Sequence, residues 1–188
     1  MRNEIEIKLP ADDAPRLKRR LKELGFRVAR RRHFESNLFF DFADARLRNS
    51  GSLLRLRFVD GRCTLTFKEA TEASKSYKIR LEIETAVEHG EELRQVLKRL
   101  GLKETFRYEK YRTIYRRLGA DGVPEVWDLS LDETPIGTYV ELEGPKRWIN
   151  EVAGQLGFKR ADYLTEGYVT MYFRQRKASD GASGSMVF

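Results

Sequence analysis

Hydrophobic and polar residues alternate with a period of two in seven segments of the chain, which is the pattern of β-strands. The segments cover residues 4–9, 54–58, 64–68, 78–84, 110–115, 127–132 and 140–143. Turn-forming residues separate them, and Asp60-Gly61, between two alternating runs, is a strong signal for a hairpin. The chain is therefore predicted to consist mainly of antiparallel strands.

Apolar residues at helical spacing interrupt the strands in four places. The first helix is predicted to start at a cap formed by Asp12 or Asp13. A short fourth helix is predicted to begin at Thr165 and to carry Tyr168. The first three helices end at glycines, which are Gly25, Gly101 and Gly157.

Nearly every predicted strand has one aliphatic face and one ionic face, because side chains at positions i and i+2 point the same way. In the first strand Glu4, Glu6 and Lys8 share a face, and the residues between them are aliphatic. An ordinary half-exposed sheet would explain any one strand. Across the whole set, however, the polar positions are mostly Glu, Asp, Lys and Arg, whereas solvated faces usually include many Ser, Thr, Asn and Gln.

About eight antiparallel strands can close into a barrel with room for a small ligand. If helices covered the aliphatic faces from outside, the ionic faces would line the lumen. We therefore predict an α+β fold, a closed or nearly closed antiparallel eight-stranded β-barrel with a charged lumen and helices packed outside. The barrel domain is assigned to residues 1–176, and the Ser-, Gly- and Ala-rich residues 177–188 are predicted to form a disordered tail.

Composition agrees with a soluble, anion-binding domain. The 188 residues carry a formal charge of +7, which indicates an anionic partner without choosing among nucleic acid, a membrane surface and a polyphosphate. The chain has one cysteine, Cys63, and no apolar run of membrane-spanning length or apolar signal segment. These features predict a cytoplasmic protein that does not associate with membranes. Cys63 is assigned no role, and His33 and His89 are predicted to be surface or strand-edge residues.

A lumen that holds both signs of charge suits a triphosphate bound with metal ions. Arg and Lys would neutralise the phosphates, and Arg often does so through bidentate contacts. Packed carboxylates would repel each other and the ligand unless hard cations lay between them. Glu-x-Glu pairs without nearby His or Cys therefore indicate Mg²⁺ or Mn²⁺ rather than zinc.

The chain resembles the CYTH domains, the triphosphate tunnel metalloenzymes, beginning with Glu4-x-Glu6-x-Lys8, which is similar to their ExExK signature. This family includes class IV adenylyl cyclases, thiamine triphosphatases and inorganic triphosphatases. The resemblance extends in the family's order over nearly the whole chain before the tail. It continues through residues 54–57, 66–68, 80–84, 110–112, 131–133 and 141–144.

The resemblance implies roles for individual residues. Glu4, Glu6 and Lys8 are the implied catalytic residues. The implied metal ligands are Glu4, Glu6, Asp132, Glu141 and Glu143, with Asp128 as a further candidate. Glu82 and Glu84 are also candidates, either to bind metal or to hold the basic residues in place. The implied phosphate-binding residues are Lys8, Arg55, Arg57, Lys68, Arg80, Lys110 and Arg112, with Lys78 as a further candidate. The fourth helix lies where some members close one mouth of the tunnel.

Three functions remain open at this point. The first is a divalent-metal-dependent phosphohydrolase that acts on tripolyphosphate, a nucleoside triphosphate such as ATP, or thiamine triphosphate. The second is an adenylyl cyclase that converts ATP to cyclic AMP and pyrophosphate. The third is a non-catalytic module for polyphosphate or nucleic acid, which would gain little from the carboxylates. We favour hydrolysis, because it needs no nucleobase pocket and the sequence identifies none. Nucleic acid is accordingly disfavoured as a partner, and exposed sheet edges would favour a homodimer.

Overall fold

Strands account for most of the regular structure in the computed structural model, which describes residues 2–70, 74, 76–119, 122–123, 125–176 and 184–188. The strands in this part of the chain are β1 (Arg2–Pro10), β2 (Phe26–Asp41), β3 (Leu53–Val59), β4 (Arg62–Ala70), β5 (Lys78–Val87), β6 (Lys103–Arg117), β7 (Asp128–Thr134), β8 (Gly137–Glu143) and β9 (Ser185–Met186). The α-helices are α1 (Ala14–Glu23), α2 (Arg46–Asn49), α3 (Gly90–Arg99), α4 (Lys146–Gln155) and α5 (Tyr168–Gln175).

The first eight strands close into a barrel in the order β2-β3-β4-β5-β1-β8-β7-β6, and β6 pairs back onto β2. Every pairing within this ring is antiparallel. The turn between β3 and β4 is formed by Asp60 and Gly61, which both have positive φ angles, 49° and 75°. This backbone matches the twist of a tight hairpin. The predicted α+β barrel and this hairpin are confirmed.

Strand β2 is the barrel strand that the sequence did not predict. Its alternation is interrupted by an arginine-rich start and by the adjacent pair Phe39-Phe40. Residues 36–40 pair with β3, whereas residues 26–41 pair with β6 through several register shifts. The barrel closes through this long, irregular strand.

Three helices cover the aliphatic faces of the barrel. Helices α1 and α4 bury Leu21, Ile149 and Val152 in one cluster with residues of β1, β7 and β8. Helix α3 places Leu97 in a second cluster with residues of β2 and β3. Removal of these aliphatic side chains from water stabilises the closed form by roughly 25 cal/mol per Å² buried. Within the described residues no helix is long and apolar enough to cross a bilayer.

One end of the barrel is covered by α5 through an aromatic cluster. Tyr168, Met171 and Tyr172 of α5 pack there with Phe106 and Tyr108 of β6. Helix α5 begins three residues later than the predicted fourth helix.

The last residues of the predicted tail also join this cluster. Met186 is buried in it, and β9 pairs in parallel with β6. Residues 177–183 of the predicted tail lie outside the described residues. The boundary assigned to the barrel domain stays a prediction.

Candidate active site

The lumen of the barrel contains a cavity of about 1340 Å³. Almost all of the charged residues singled out from the sequence line it, including the N-terminal Glu4, Glu6 and Lys8. Asp132 is completely buried behind the wall, in contact with Lys110 and Arg112. Strand periodicity and barrel closure thus bring the separate ionic rows to face a common space.

Glu6 lies among lysines and is paired with a second glutamate. It contacts Lys78 and accepts a hydrogen bond from Lys8 at 3.1 Å. Glu141 lies close enough to Glu6 for each carboxylate to shift the pKa of the other. Burial alone would raise the pKa of Glu6, but Lys78, Lys8 and Lys68 outweigh burial and hold the pKa well below its ordinary value. Glu6 is therefore ionised at neutral pH.

Glu141 experiences the opposite balance. Burial and the neighbouring charge of Glu6 raise the pKa of Glu141, although Lys8 and Arg112 act in the other direction. Two buried carboxylates with pKa values moved apart are typical of sites that bind cations or transfer protons.

Glu4 forms a second acidic centre on the same strand. Lys68 Nζ donates to its two carboxylate oxygens at 2.6 and 2.5 Å. The same ammonium group lies 3.1 Å from Glu82. Lys68 thus bridges one implied metal ligand of β1 and a further candidate of β5.

Asp132 organises the opposite wall. Arg112 donates to both of its oxygens at 2.6 Å, and Lys110 donates to Oδ2 at 2.8 Å. Arg112 also reaches Glu141 at 2.9 Å. Arg112 and Lys110 hold the pKa of the Asp132 carboxyl far below its ordinary value despite burial. The implied role of Asp132 as a metal ligand stays a prediction. In this structure its oxygens accept hydrogen bonds from Lys110 and Arg112.

Glu35 on β2 is a buried lumen residue that sequence analysis missed. One carboxylate oxygen lies 3.5 Å from Lys110 and 3.8 Å from Arg57, and the other lies 3.3 Å from His33 Nε2. His33 Nδ1 lies 2.9 Å from the carbonyl oxygen of Arg31. The prediction of a surface position for His33 is wrong, since its ring is buried beside this carboxylate. Its part of β2 pairs with β6 but not with β3 in the described residues, as expected of a strand edge. The sequence signal that could have identified Glu35 as a lumen residue is the polar pair that it forms with Asn37 at positions i and i+2.

Three arginines that line the cavity have spare hydrogen-bonding capacity. Among the described residues, Arg57 donates one long hydrogen bond, 3.3 Å, to Asn37 and lies 3.8 Å from Glu35. Arg55 donates to Thr66, but its Nε is buried without a hydrogen-bond partner among the described residues. Arg80 Nη1 is likewise buried without a hydrogen-bond partner in the described part of the chain. Buried donors without partners are costly, so they indicate an anion that supplies the missing acceptors.

The remaining candidates lie closer to a mouth of the barrel. Asp128 is partly exposed and forms an ion pair of 2.6 Å with Arg116. Glu84 is exposed and accepts a long hydrogen bond from Thr66 at 3.4 Å. Arg30 also lines the cavity and pairs with Asp60 at the turn between β3 and β4.

The donor chemistry of the lumen fits a hard divalent cation. Glu4, Glu6, Glu141 and Glu143 offer only carboxylate oxygens, which suit Mg²⁺ or Mn²⁺ better than zinc. Among the described residues, no three Asp, Glu, His or Cys side chains are grouped to hold a metal ion. If these glutamates bound a metal ion, the lysines and arginines that contact them would lose part of those contacts.

Basic and acidic side chains line the cavity in nearly equal numbers. Among the described residues the twelve basic ones are Lys8, Arg30, Arg48, Arg55, Arg57, Arg62, Lys68, Lys78, Arg80, Lys110, Arg112 and Arg116. The ten acidic ones are Glu4, Glu6, Glu35, Asp41, Asp60, Glu82, Glu84, Asp128, Glu141 and Glu143, and Asp132 lies behind the wall. An anion with several charges would therefore be bound best together with additional cations.

Comparisons with known proteins agree with this architecture. The chain is 34% identical over 149 residues to a Methanocaldococcus jannaschii protein named as a candidate adenylate cyclase, covering 79% of this chain and 80% of that protein. A Pyrococcus horikoshii structure, the PH1819 protein, matches with a TM-score of 0.74 at 22% identity, covering 92% of this chain and 99% of the other.

A Hippeastrum structure matches at a TM-score of 0.60 and 21% identity, covering 94% of this chain and 96% of the other. It is described as an adenylyl cyclase candidate with a dominant triphosphatase activity. The family model of the CYTH domain matches residues 2–168. With this match over most of its length and an ionic lumen inside a closed antiparallel barrel, the chain belongs to the CYTH domain family.

Proposed function

We propose that this protein is a divalent-metal-dependent phosphohydrolase that binds a small triphosphate in the ionic lumen. The observation that carries the proposal is the set of buried guanidinium nitrogens of Arg55 and Arg80 that lack hydrogen-bond partners among the described residues. Both arginines line the same cavity as the neighbouring carboxylates of Glu6 and Glu141. Unsatisfied cations beside clustered carboxylates support a polyanion that is bound together with metal.

The two walls of the lumen would act on different parts of the substrate. Arg55, Arg57 and Arg80 would bind phosphate oxygens, because guanidinium groups can bind such oxygens in a bidentate manner. Lys110 and Arg112 would do the same on the other wall, where Asp132 holds them in place. Such positioning supplies most of the catalysis in phosphoryl transfer.

Glu4, Glu6, Glu141 and Glu143 would hold the metal. Tunnel enzymes of this family generally depend on a divalent metal, which neutralises charge on the transferring and leaving oxygens. Glu6 and Glu141 would also hold a water molecule next to the terminal phosphorus.

An adenylyl cyclase is the second candidate function. Members of the family are cyclases or triphosphatases, and the Methanocaldococcus relative is named as a candidate cyclase. The Hippeastrum protein is described as having a dominant triphosphatase activity, which supports hydrolysis on this fold. Hydrolysis also requires less of the protein, since it needs no arrangement that brings a ribose hydroxyl to the α-phosphorus.

Product analysis separates the two reactions. The purified protein is incubated with tripolyphosphate, and separately with ATP, in the presence of Mg²⁺ or Mn²⁺. Free phosphate as the main product is the expected result. Cyclic AMP as the main product from ATP would establish the cyclase instead. Binding of either compound without any product under both metals would identify a non-catalytic module.

Glu6→Gln tests the acidic centre. This change removes the carboxylate charge that faces Lys8 and Lys78 with little change in shape, and turnover should fall by about 100-fold or more. The matched control is Glu133→Gln on β7, because Glu133 pairs with the exposed Arg32 outside the lumen. Activity of the Glu6→Gln variant within a few fold of wild type would remove Glu6 from the reaction.

Arg80→Gln tests the unsatisfied guanidinium groups. Loss of a charge-assisted hydrogen bond to phosphate should weaken tripolyphosphate binding by about 10- to 100-fold. Isothermal titration calorimetry in the presence of Mg²⁺ measures the dissociation constant directly. The control is Arg32→Gln, which removes an arginine that already has a carboxylate partner. Equal affinities for the Arg80→Gln variant and wild type would exclude Arg80 from the phosphate site.

A further inference from the structure

Tyr168 lines the ionic lumen, but it belongs to α5 and not to a strand of the barrel. Its hydroxyl group donates to Asp132 Oδ2 at 2.8 Å, and the residue is only 5% exposed. The ammonium groups of Lys8 and Lys110 lie 5.1 and 5.4 Å from the centre of its ring. Tyr168 therefore contacts basic residues of two strands and the carboxylate that orients one of them.

The hydroxyl group of Tyr168 is a further hydrogen-bond donor to the Asp132 carboxylate. The same carboxylate accepts from Lys110 Nζ and from both ends of the Arg112 guanidinium fork. Asp132 thus fixes the directions of two phosphate-binding cations, and Tyr168 fixes the carboxylate from the side of α5. Burial and the charges of Asp132 and Glu141 raise the pKa of Tyr168 well above its ordinary value, so the hydroxyl keeps its proton and remains a donor.

Helix α5 also contacts residues 184–188. We call residues 184–188 the C-terminal strap. Ser185 and Met186 pair with β6, and the carbonyl oxygen of Ser185 accepts a hydrogen bond from Tyr172 of α5 at 3.0 Å. Met186 is 1% exposed within the aromatic cluster of α5. At the end of the strap, the ring of Phe188 lies 5.2 Å from that of Tyr111 on β6.

A Cβ atom at Gly184 would lie 3.3 Å from the ring of Tyr172 and 3.5 Å from that of Phe106. The strap therefore packs against α5 and β6 at the same time. If the strap left, Tyr172 and Phe106 would lose apolar contacts on one side, and α5 would be held less firmly over the end of the barrel.

We propose that Tyr168 is a positioning residue for the phosphate-binding side chains Lys110 and Arg112, and that the C-terminal strap keeps it in place by holding α5 against the barrel. The inference rests on the proposed binding of a triphosphate in the lumen. It adds two parts to that site, a tyrosine outside the barrel strands and the last residues of the chain. Neither part would contact the reacting atoms.

Tyr168→Phe tests the first part. This change keeps the ring beside Lys8 and Lys110 and removes only the donor to Asp132, so tripolyphosphate should bind about tenfold more weakly. KM should rise by a similar factor while kcat changes by less than about threefold, because Asp132 and its cations remain in the site. Calorimetry in the presence of Mg²⁺ gives the affinity without relying on hydrolysis.

Tyr139→Phe is the matched control. Tyr139 belongs to the same aromatic cluster and its ring contacts Tyr168, but its hydroxyl group donates to the carbonyl oxygen of Ile136. Equal losses of affinity in both variants would show a general packing effect and overturn the role of Tyr168. So would an unchanged affinity in Tyr168→Phe.

Removal of residues 184–188 tests the strap, and Met186→Ala serves as a milder variant if the shortened chain does not fold. Loss of the strap should weaken tripolyphosphate binding by about tenfold, and it should add little to the loss already caused by Tyr168→Phe. This non-additivity is the signature of a strap that acts through Tyr168. Fully additive losses, or no loss, would overturn the role of the strap. A wild-type protein that binds tripolyphosphate but releases no phosphate would contradict the proposed hydrolysis and leave these comparisons valid.

Discussion

The charges of individual lumen residues are set by their neighbours. Glu6 stays ionised because lysines surround it, whereas Lys78 lies near Lys8 and Arg80 as well as Glu6. Burial lowers the pKa of Lys78 to about 8, and the two nearby cations act in the same direction. The negative charge around Lys78 is therefore too small to keep its pKa at the ordinary value. A bound triphosphate would supply that charge.

Proton uptake on ligand binding should reveal this lysine. In the free protein Lys78 loses its proton as the pH rises through about 8, and a bound polyanion raises its pKa. Tripolyphosphate binding should therefore take up more protons at about pH 9 than at about pH 7, and affinity should fall between these values. Calorimetry in two buffers with different ionisation enthalpies measures the uptake. The Lys78→Met variant should lack this increase, and an equal increase in the variant would assign it to another group.

The packing of whole elements depends on a few close contacts. Helix α3 begins at Gly90, which lies directly against the outer face of β3 and β4. A Cβ atom at this position would lie 2.6 Å from Cys63 Cβ and 2.7 Å from Phe58 Cε1. The absence of a side chain at Gly90 is what allows the start of α3 to approach the barrel so closely.

Gly90→Ala should destabilise the protein by about 1–3 kcal/mol, because the helix or its neighbours must move to make room. Gly154→Ala in α4 is the matched control, since a Cβ atom there would have no atom within 4 Å and should stabilise the helix by roughly 0.5–1 kcal/mol. Urea unfolding of both variants gives the two free energies of unfolding. A Gly90→Ala variant as stable as wild type would show that this contact relaxes without cost.

At the scale of the whole molecule, barrel closure converts ionic strand faces into an enclosed site. Many of these side chains, including Lys8 and Lys110, are buried, so their interactions are stronger than on an open surface. The nearly equal numbers of basic and acidic groups around the cavity leave little net charge to attract a polyanion. We therefore expect metal and triphosphate to bind cooperatively.

Metal removal should show this coupling without any measurement of turnover. In the presence of a chelator, tripolyphosphate should bind at least about tenfold more weakly than with Mg²⁺, which corresponds to a coupling free energy of about 1.4 kcal/mol. Glu6→Gln should reduce the coupling, because one of the proposed metal-binding charges is lost. The same affinity with and without divalent metal would contradict a metal site in the lumen.

The strand pattern predicted the lumen well because side-chain alternation is a local property. Glu4, Glu6 and Lys8 must share a face in any extended β1, and Arg55 and Arg57 must share a face in β3. The same rule fails on β2, where the adjacent Phe39 and Phe40 hide the alternation that carries Glu35. The alternation of polar and apolar residues is clear in the regular strands, and it is obscured in β2, where the pairing with β6 contains register shifts.

Local sequence was enough to predict the strand faces, the hairpin at Asp60-Gly61 and the mixture of acidic and basic side chains. These features depend on neighbouring residues along the chain. Folding in three dimensions is what makes Lys68 bind Glu4, makes Arg112 bind Asp132 and buries His33 beside Glu35. It also decided that Tyr168 reaches Asp132 and that Met186 packs under α5. Such contacts join residues far apart in the chain, so they arise only from strand register, barrel closure and helix packing.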